Sequence, residues 1–429
     1  MNRIRHGLRH VPRRQFLGTL ALASAAAMVR GQGAASKLPP IRQLTRGPKF
    51  HWFAYYDKLQ FSPDNRFVLC NQSAFENRSP RPDDVIKVGM IDLHDGDRWI
   101  ELGESRAWCW QQGCMLQWLP GSESEVIWND REGDRFICHI LDVKTRRRRT
   151  LPHPVYAVSP DGRWAIAPSF SRLADLRPGY GYAGIPDPFR AELAPKDTGI
   201  FRLDLQTGEQ RMLCSVADIA AKFPYQSEAP ERAKHWFNHL LVNPDGTRFV
   251  FLHRWRVGDG AKLTTHMISA APDGRDVRVL IGSGAVSHFI WRDPRHVLAY
   301  SKPRAEADWG FFVYEDKPGG SVEEIGKGIL KGDGHCTYLP GHNNRWVLND
   351  TYRDKDKLQH PHLFDTQTQR RIPLGAFKLP DEYVTGSTFM EWRVDLHPRF
   401  SRDGKLVTID SPYTGQGRQL HLIDISGLV

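Results

Sequence analysis

The chain has 429 residues and a formal charge of +10, but six of its arginines fall within residues 1–35, which contain no acid, so the remainder carries only +4. That balance argues against a nucleic-acid partner while leaving room for a locally basic groove that takes an anionic ligand. Six cysteines (Cys70, Cys109, Cys114, Cys138, Cys214, Cys336) with no Cys-x-x-Cys pair are too few for a disulfide-built scaffold and give no zinc knuckle.

In chain order, the first segment "RHVPRRQFLGTLALASAAAMVRGQGAAS" has a basic start, the pair Arg13-Arg14 followed by Phe16-Leu17, a short apolar run and small residues. It reads as a twin-arginine export signal over residues 1–35, with cleavage expected near residues 30–36 and a periplasmic or extracellular destination. Only 15 residues separate Arg14 from Arg30, short of the roughly 20 apolar residues of a membrane span, so no stable membrane anchor is expected after cleavage.

From about residue 40 to 429 one kind of turn recurs beside β-branched and aromatic runs: "FSPDNRFVLC", "WLPGSESEVIW", "VSPDGRWAIA", "VNPDGTRFVFL", "WRDPRHVLAY", "YLPGHNNRWVL" and "FSRDGKLVTI". Proline presets φ and glycine accepts positive φ, so each is a hairpin signal. A second class alternates with it: "IDLHDGDRW", "LDVKTRRR", "LDLQTGEQ", "SAAPDGRDV", "YEDKPGGSV", "FDTQTQRR" and "LIDISGLV". Two hairpin turns per unit give four strands per unit. Seven units predict a single all-β domain, a seven-bladed β-propeller of four-stranded antiparallel blades around a central channel. The basic run "KTRRRRT" falls at one of these turns and reads as solvated. The longest spacing, 84 residues from Pro160 to Pro244, holds the insert "LADLRPGYGYAGIPDPFRAELAPKD", and "SVADIAAKF" is the one short helix expected.

In a propeller the first strand of each blade lines the channel, so residues just before it meet at one rim. His239, His335 and His397 each lie five residues before the turn proline or its replacement Arg402, and His288 lies five or six before Asp293-Pro294. Asp57 takes the equivalent place in the first unit, with Gln112 and Cys114 close to it in the second. Four neutral imidazoles converging on a channel suit a divalent transition metal. The second strand returns to the same rim, and its exits carry His253, Arg254 and Arg256, then Asp350, Tyr352 and Arg353, then Tyr413 and Arg418, with Arg131 in the second unit. Planar guanidinium groups there are matched to carboxylates.

The segments "HWFAYYDKLQFSPDNRF", "NHLLVNPDGTRFVFLHRW", "SHFIWRDPRHVLAYS", "GHCTYLP" and "HPRFSRDGKLVTIDS" together resemble the seven-bladed propeller polysaccharide lyases, nearest to oligogalacturonate lyase and more distantly the ulvan lyases. The resemblance implies β-elimination on a uronic-acid-containing oligosaccharide or polysaccharide. It also implies a divalent ion, Mn(2+) or else Zn(2+), and a histidine as proton-abstracting base. Carried over by segment, the base is His239 and the ion ligands include His288 and His397. The family has glutamine and a second histidine ahead of the last ligand, whereas this chain reads "WRVDLHPRF", which makes Asp395 the replacement and His335 the residue completing the shell.

The residue types fit that chemistry. A C5 proton is too weakly acidic unless the uronate carboxylate is neutralised by a cation or an arginine, and an imidazole can then remove it. Arg254 is assigned to the carboxylate with Arg256 behind it, and Tyr352 or Tyr413 to the leaving oxygen. His235, Asn238, His253, Arg353 and Arg418 are candidate substrate contacts. Strand alternation puts His235, Phe237 and His239 on one side. Two alternatives stay open: a non-catalytic envelope propeller that binds a glycan or protein, and a glycoside hydrolase using Asp57 with Asp350 or Asp395 about 5 to 10 Å apart.

Overall fold

The computed structural model describes residues 38–53, 55–223, 229–258, 261–384 and 391–429. The expected export signal lies outside the described residues. Leu38–Val429 forms one compact unit of seven four-stranded antiparallel sheets taken in sequence order. The first strands of successive blades are Phe50–Trp52, Gln117–Trp118, Ala157–Val158, Lys234–Val242, Val286–Asp293, Thr337–Tyr338 and Arg399–Phe400.

Local chemistry accounts for both turn classes. In the first, an aspartate after the proline, or after Arg402, accepts from the backbone two residues on: Asp64 from Arg66, Asp161 from Arg163, Asp245 from Thr247 and Asp403 from Lys405, at 3.0 to 3.2 Å. In the second, the aspartate ending the third strand accepts from the N–H groups two and three residues on, as Asp142 does from Lys144 and Thr145, and Asp204 from Gln206 and Thr207. These are Asx turns, in which a short polar side chain substitutes for a backbone acceptor. The basic run begins in such a turn after the strand Arg135–Asp142 and, from Arg148, continues into the exposed fourth strand Arg148–Leu151, so only its first half is turn.

The seventh second-class turn departs from expectation. In "LIDISGLV" Asp424 makes the same bond to Ser426, but the chain ends there, and the fourth strand of blade seven is instead Ile41–Gln43. It pairs antiparallel with the third strand, Ile41 facing Ile423 and Gln43 facing His421. The two ends of the propeller therefore close one sheet. Leu44, 3% exposed, continues this contact into a cluster with Phe61, Val68, Leu420 and Leu422 that joins blades one and seven.

Two short helices interrupt the blades. Val216–Lys222 forms as expected, held by a capping box between Ser215 and Asp218. Phe170–Leu176 was not expected; capped by Ser169, it opens the insert between the second strand of blade three, Trp164–Pro168, and the third, Gly199–Asp204. No helix among the described residues is long and apolar enough to cross a membrane.

Since Leu44 packs at the seam where the ring closes, Leu44→Ala is expected to cost about 2 to 5 kcal/mol of stability. Denaturant unfolding measures this; a change under about 0.5 kcal/mol, the range of ordinary surface substitutions, would show that the seam carries little stability.

Candidate functional site

The four histidines counted into register do meet, and they meet around a tyrosine. Tyr55, on the loop after the first strand of blade one, has its ring centre 5.0 Å from those of His239 and His397, 6.0 Å from His335 and 6.3 Å from His288. The His288 and His335 rings are 4.2 Å apart, those of His335 and His397 4.3 Å. All four imidazoles are buried.

Backbone irregularities aim two of them inward. The ladder of blade four slips between Asn238 and Leu241, and that of blade five between Val286 and Phe289. Each slip is a bulge that turns a histidine out of the strand's alternation. His239 has φ of +49° and His397 of +42°, a left-handed backbone that costs a bulky residue about 1 to 3 kcal/mol and persists where surrounding structure holds it. Tyr56 clamps the second bulge: its hydroxyl donates to the Phe289 carbonyl at 2.9 Å and accepts from the Phe289 N–H at 3.0 Å.

Carboxylates anchor the rings from behind. Asp333 meets His288 Nδ1 at 3.0 Å, Asp350 meets His335 Nδ1 at 3.0 Å with both oxygens, and Asp57 Oδ2 lies 3.5 Å from His239 Nε2. Asp57 is itself paired to Lys58 at 3.0 Å, with side-chain exposures of 0% and 2%. Burial pushes the Asp57 carboxyl up, but Lys58 and His239 outweigh it and bring it to about 2. Burial lowers His239 to about 4 and His397 well below the usual imidazole value, so both are neutral at pH 7. Burial also works against charge on His335, but Asp350 more than compensates and raises it.

Three donor atoms converge as a group able to hold a metal: those of His335, Asp395 and His397 lie within 4.8 Å of one another. His335 Nε2 and His397 Nε2 are buried with no hydrogen-bond partner. Two partnerless imidazole nitrogens and a carboxylate oxygen left facing one another are a donor set that a transition metal satisfies and that is costly otherwise. Asp395 is oriented by Arg393, whose Nε donates to it at 2.7 Å. His288 stands beside this group but is not one of the three.

Next to it lies a small cavity, about 100 Å³, lined by His239, His288, Asn238, Tyr55 and Tyr352 and by three arginines, Arg177, Arg254 and Arg393. Arg393 is neutralised by Asp395. Arg254 is 8% exposed and its Nε has no partner, and neither it nor Arg177 forms an ion pair among the described residues. Burial, then the nearby Arg177 charge, lowers Arg254 to about 10, so it stays charged at pH 7. Tyr55 is buried, which raises it well above 10 and keeps it protonated, while Tyr352 at the cavity edge is 38% exposed. No carboxylate lines this cavity among the described residues. The acids considered for a hydrolytic pair are committed elsewhere: Asp57 to Lys58, Asp350 to His335 and Asp395 to Arg393.

Other expected contacts lie away from the cavity. The bulge overturns the simple alternation that grouped His235 with His239: His235 Nδ1 instead meets His253 Nε2 at 2.9 Å, and both rings pack on Trp255 inside blade four. Arg256 donates to the Leu176 carbonyl at 2.8 Å, bracing the insert helix. Arg418 donates to the Trp392 and Trp110 carbonyls, supporting the segment that carries Arg393. Arg353 pairs with the exposed Asp381, Tyr413 packs on Phe377 and His421, and Arg131 bonds the Gly133 carbonyl.

The insert supplies what counting could not. Arg177 and Tyr180 follow its helix directly, and Tyr180 accepts from Arg393 Nη2 at 3.1 Å, so blade three reaches the segment before blade seven. The sequence signal for these residues is the insert's length with its arginines and tyrosines, and for Arg393 its place two residues before Asp395.

No family model matches this sequence, and no curated protein does. Solved structures do match. An oligogalacturonate lyase from Vibrio parahaemolyticus aligns with a TM-score of 0.61 at 12% identity, over 91% of this chain and 95% of that one. An oligogalacturonate lyase in complex with manganese aligns with a TM-score of 0.62 at 15% identity, over 91% and 94%. At such identities the likeness establishes the fold: the chain is a seven-bladed propeller similar to oligogalacturonate lyases over nearly its whole described length.

If His335, Asp395 and His397 form the metal group, His335→Ala and His397→Ala should each lower transition-metal affinity about tenfold or more, with a smaller loss for His288→Ala. Elemental analysis after loading and desalting reads the difference; equal losses in all three would place His288 among the ligands.

Proposed function

We propose that this protein is an exported, metal-assisted lyase that cleaves uronic-acid-containing oligosaccharides by β-elimination. The observation that carries the reading is one cavity lined by two guanidinium groups, the buried Arg254 and the half-buried Arg177, that form no ion pair among the described residues, beside the neutral imidazole of His239. Like charges buried together without an anion are destabilising, and a carboxylate with two acceptor oxygens satisfies them.

In this account Arg254 and Arg177 hold the uronate carboxylate, and Asn238, whose Oδ1 has no partner, orients the sugar. His239 takes the C5 proton, the C5–H electron pair becomes the C4=C5 double bond, and the C4–O4 bond breaks. The departing O4 takes its proton from Tyr55, kept protonated by burial, or from the more exposed Tyr352; both line the cavity. His335, Asp395 and His397 would hold the divalent ion, with manganese the first choice from the structural neighbour; when bound it supplies Lewis-acid neutralisation of the same carboxylate. The Arg13-Arg14 segment supports export, so the substrate would be met in the periplasm or outside the cell. The lack of a carboxylate in the lining argues against the hydrolase alternative.

Metal-loaded protein is expected to convert acidic oligosaccharides to products with the ultraviolet absorbance of an unsaturated uronate. His239→Ala should lower kcat about 10²- to 10⁴-fold, and Arg254→Met should lower kcat/KM about 10²- to 10³-fold. A broad acidic-glycan panel without unsaturated product would overturn the reading and favour a binding protein.

A further inference from the structure

The carboxylates behind the histidine ring sort its members into two orientations. Asp333 and Asp350 each take the Nδ1 side of their histidine, His288 and His335, which leaves Nε2 toward the channel. His239 is reversed. Its Nε2 is a buried nitrogen without a hydrogen-bond partner; the Asp57 Oδ2 that faces it at 3.5 Å is unpartnered too, and Nδ1 is left for the cavity that the residue lines.

We propose that Asp57 is a positioning residue that holds His239 in the Nε2–H tautomer, so that Nδ1 is the basic atom offered to the substrate. This rests on the lyase reading above and names the reacting atom within it. The geometry also shows how the arrangement is enforced. Lys58 Nζ donates to Asp57 Oδ1 at 3.0 Å and lies over the Tyr156 ring at 4.9 Å from its centre. With one oxygen held by the ammonium group, the other faces His239 and can only accept. A neutral imidazole with an acceptor against Nε2 places its proton there and leaves the lone pair on Nδ1. The same logic separates His335 from His239: the ring anchored by a carboxylate through Nδ1 offers Nε2 to the metal group, as carboxylate-anchored metal ligands do, while the ring that meets its carboxylate at Nε2 is the base.

The arrangement makes Asp57→Asn informative. Lys58 keeps the amide oxygen, so the amide nitrogen turns to His239 and donates to Nε2. The proton is then driven to Nδ1, where it blocks the lone pair. Long-range proton–nitrogen correlation spectra of histidine-labelled, zinc-loaded protein read the tautomer directly, with the His239 signal assigned by its loss in His239→Gln. The wild type is expected to carry its proton on Nε2 and Asp57→Asn on Nδ1, with kcat on acidic oligosaccharides reduced about 10²-fold or more and KM unchanged. Adding Lys58→Met frees the amide to rotate and is expected to return part of the Nε2–H form. An Nδ1–H tautomer in the wild type, or an Asp57→Asn protein that keeps Nε2–H, would overturn the proposal. The wild-type spectrum needs no variant to fold. An Nε2–H wild type that cleaves no glycan would support the orientation and contradict only the lyase reading.

Discussion

Everything at the centre of this molecule depends on a ring that is closed by three residues. Histidines from blades four, five and six and from the segment entering blade seven can meet only if seven sheets stay wedged around one axis, and the last sheet is completed by Ile41–Gln43 from the other end of the chain. The tyrosine at the middle of the ring, Tyr55, follows that same N-terminal segment and the first strand of blade one. Closure and site assembly are therefore linked through one short stretch: the residues that seal the seam at Leu44 lead directly to Tyr55, Tyr56 and Asp57.

Within the ring, the distribution of buried charge separates scaffold from site. The buried acids Asp57, Asp350, Asp395 and Asp410 are each matched by a cation or a histidine, Asp410 by Arg399 at 2.9 Å. Breaking such a buried pair would cost several kcal/mol. The imbalance lies with the cations, where Arg177 and Arg254 face a cavity that has no acid in its lining. A second imbalance lies with the imidazole nitrogens of His335 and His397, buried without partners beside Asp395. The partnerless imidazole nitrogens and the acid-poor cavity adjoin each other, and in the proposed function a metal ion and a uronate carboxylate would answer the two imbalances.

The sequence made the repeat legible because its punctuation is local chemistry. An aspartate that caps its own turn works the same way at Asp64, Asp161, Asp245 and Asp403, and with the proline turns of the other blades it let seven copies be counted and a register drawn from them. That register located the histidine ring, since a fixed distance from a turn fixes height along the channel. It failed where the backbone departs from its period. The bulge at His239 could not be seen in "KHWFNHLLVNP", and strict alternation grouped His239 with His235, which packs against His253 and Trp255. It also failed where tertiary contact decides position: Arg177 and Tyr180 reach the cavity because a helix over Phe170–Leu176 is docked by Arg256, across blades. "LIDISGLV" carries a genuine turn signal, yet the strand that completes its sheet is Ile41–Gln43, because pairing with the N-terminal segment is not written in any local pattern.

The central claim is that this cavity breaks a sugar–oxygen bond by removing a proton rather than by adding water. Mass spectrometry of the fragments from a defined acidic oligosaccharide incubated with metal-loaded protein tests it most directly. Elimination predicts two fragments whose masses sum to that of the substrate, one of them lacking the elements of water. Fragments that together exceed the substrate by one water would contradict the account.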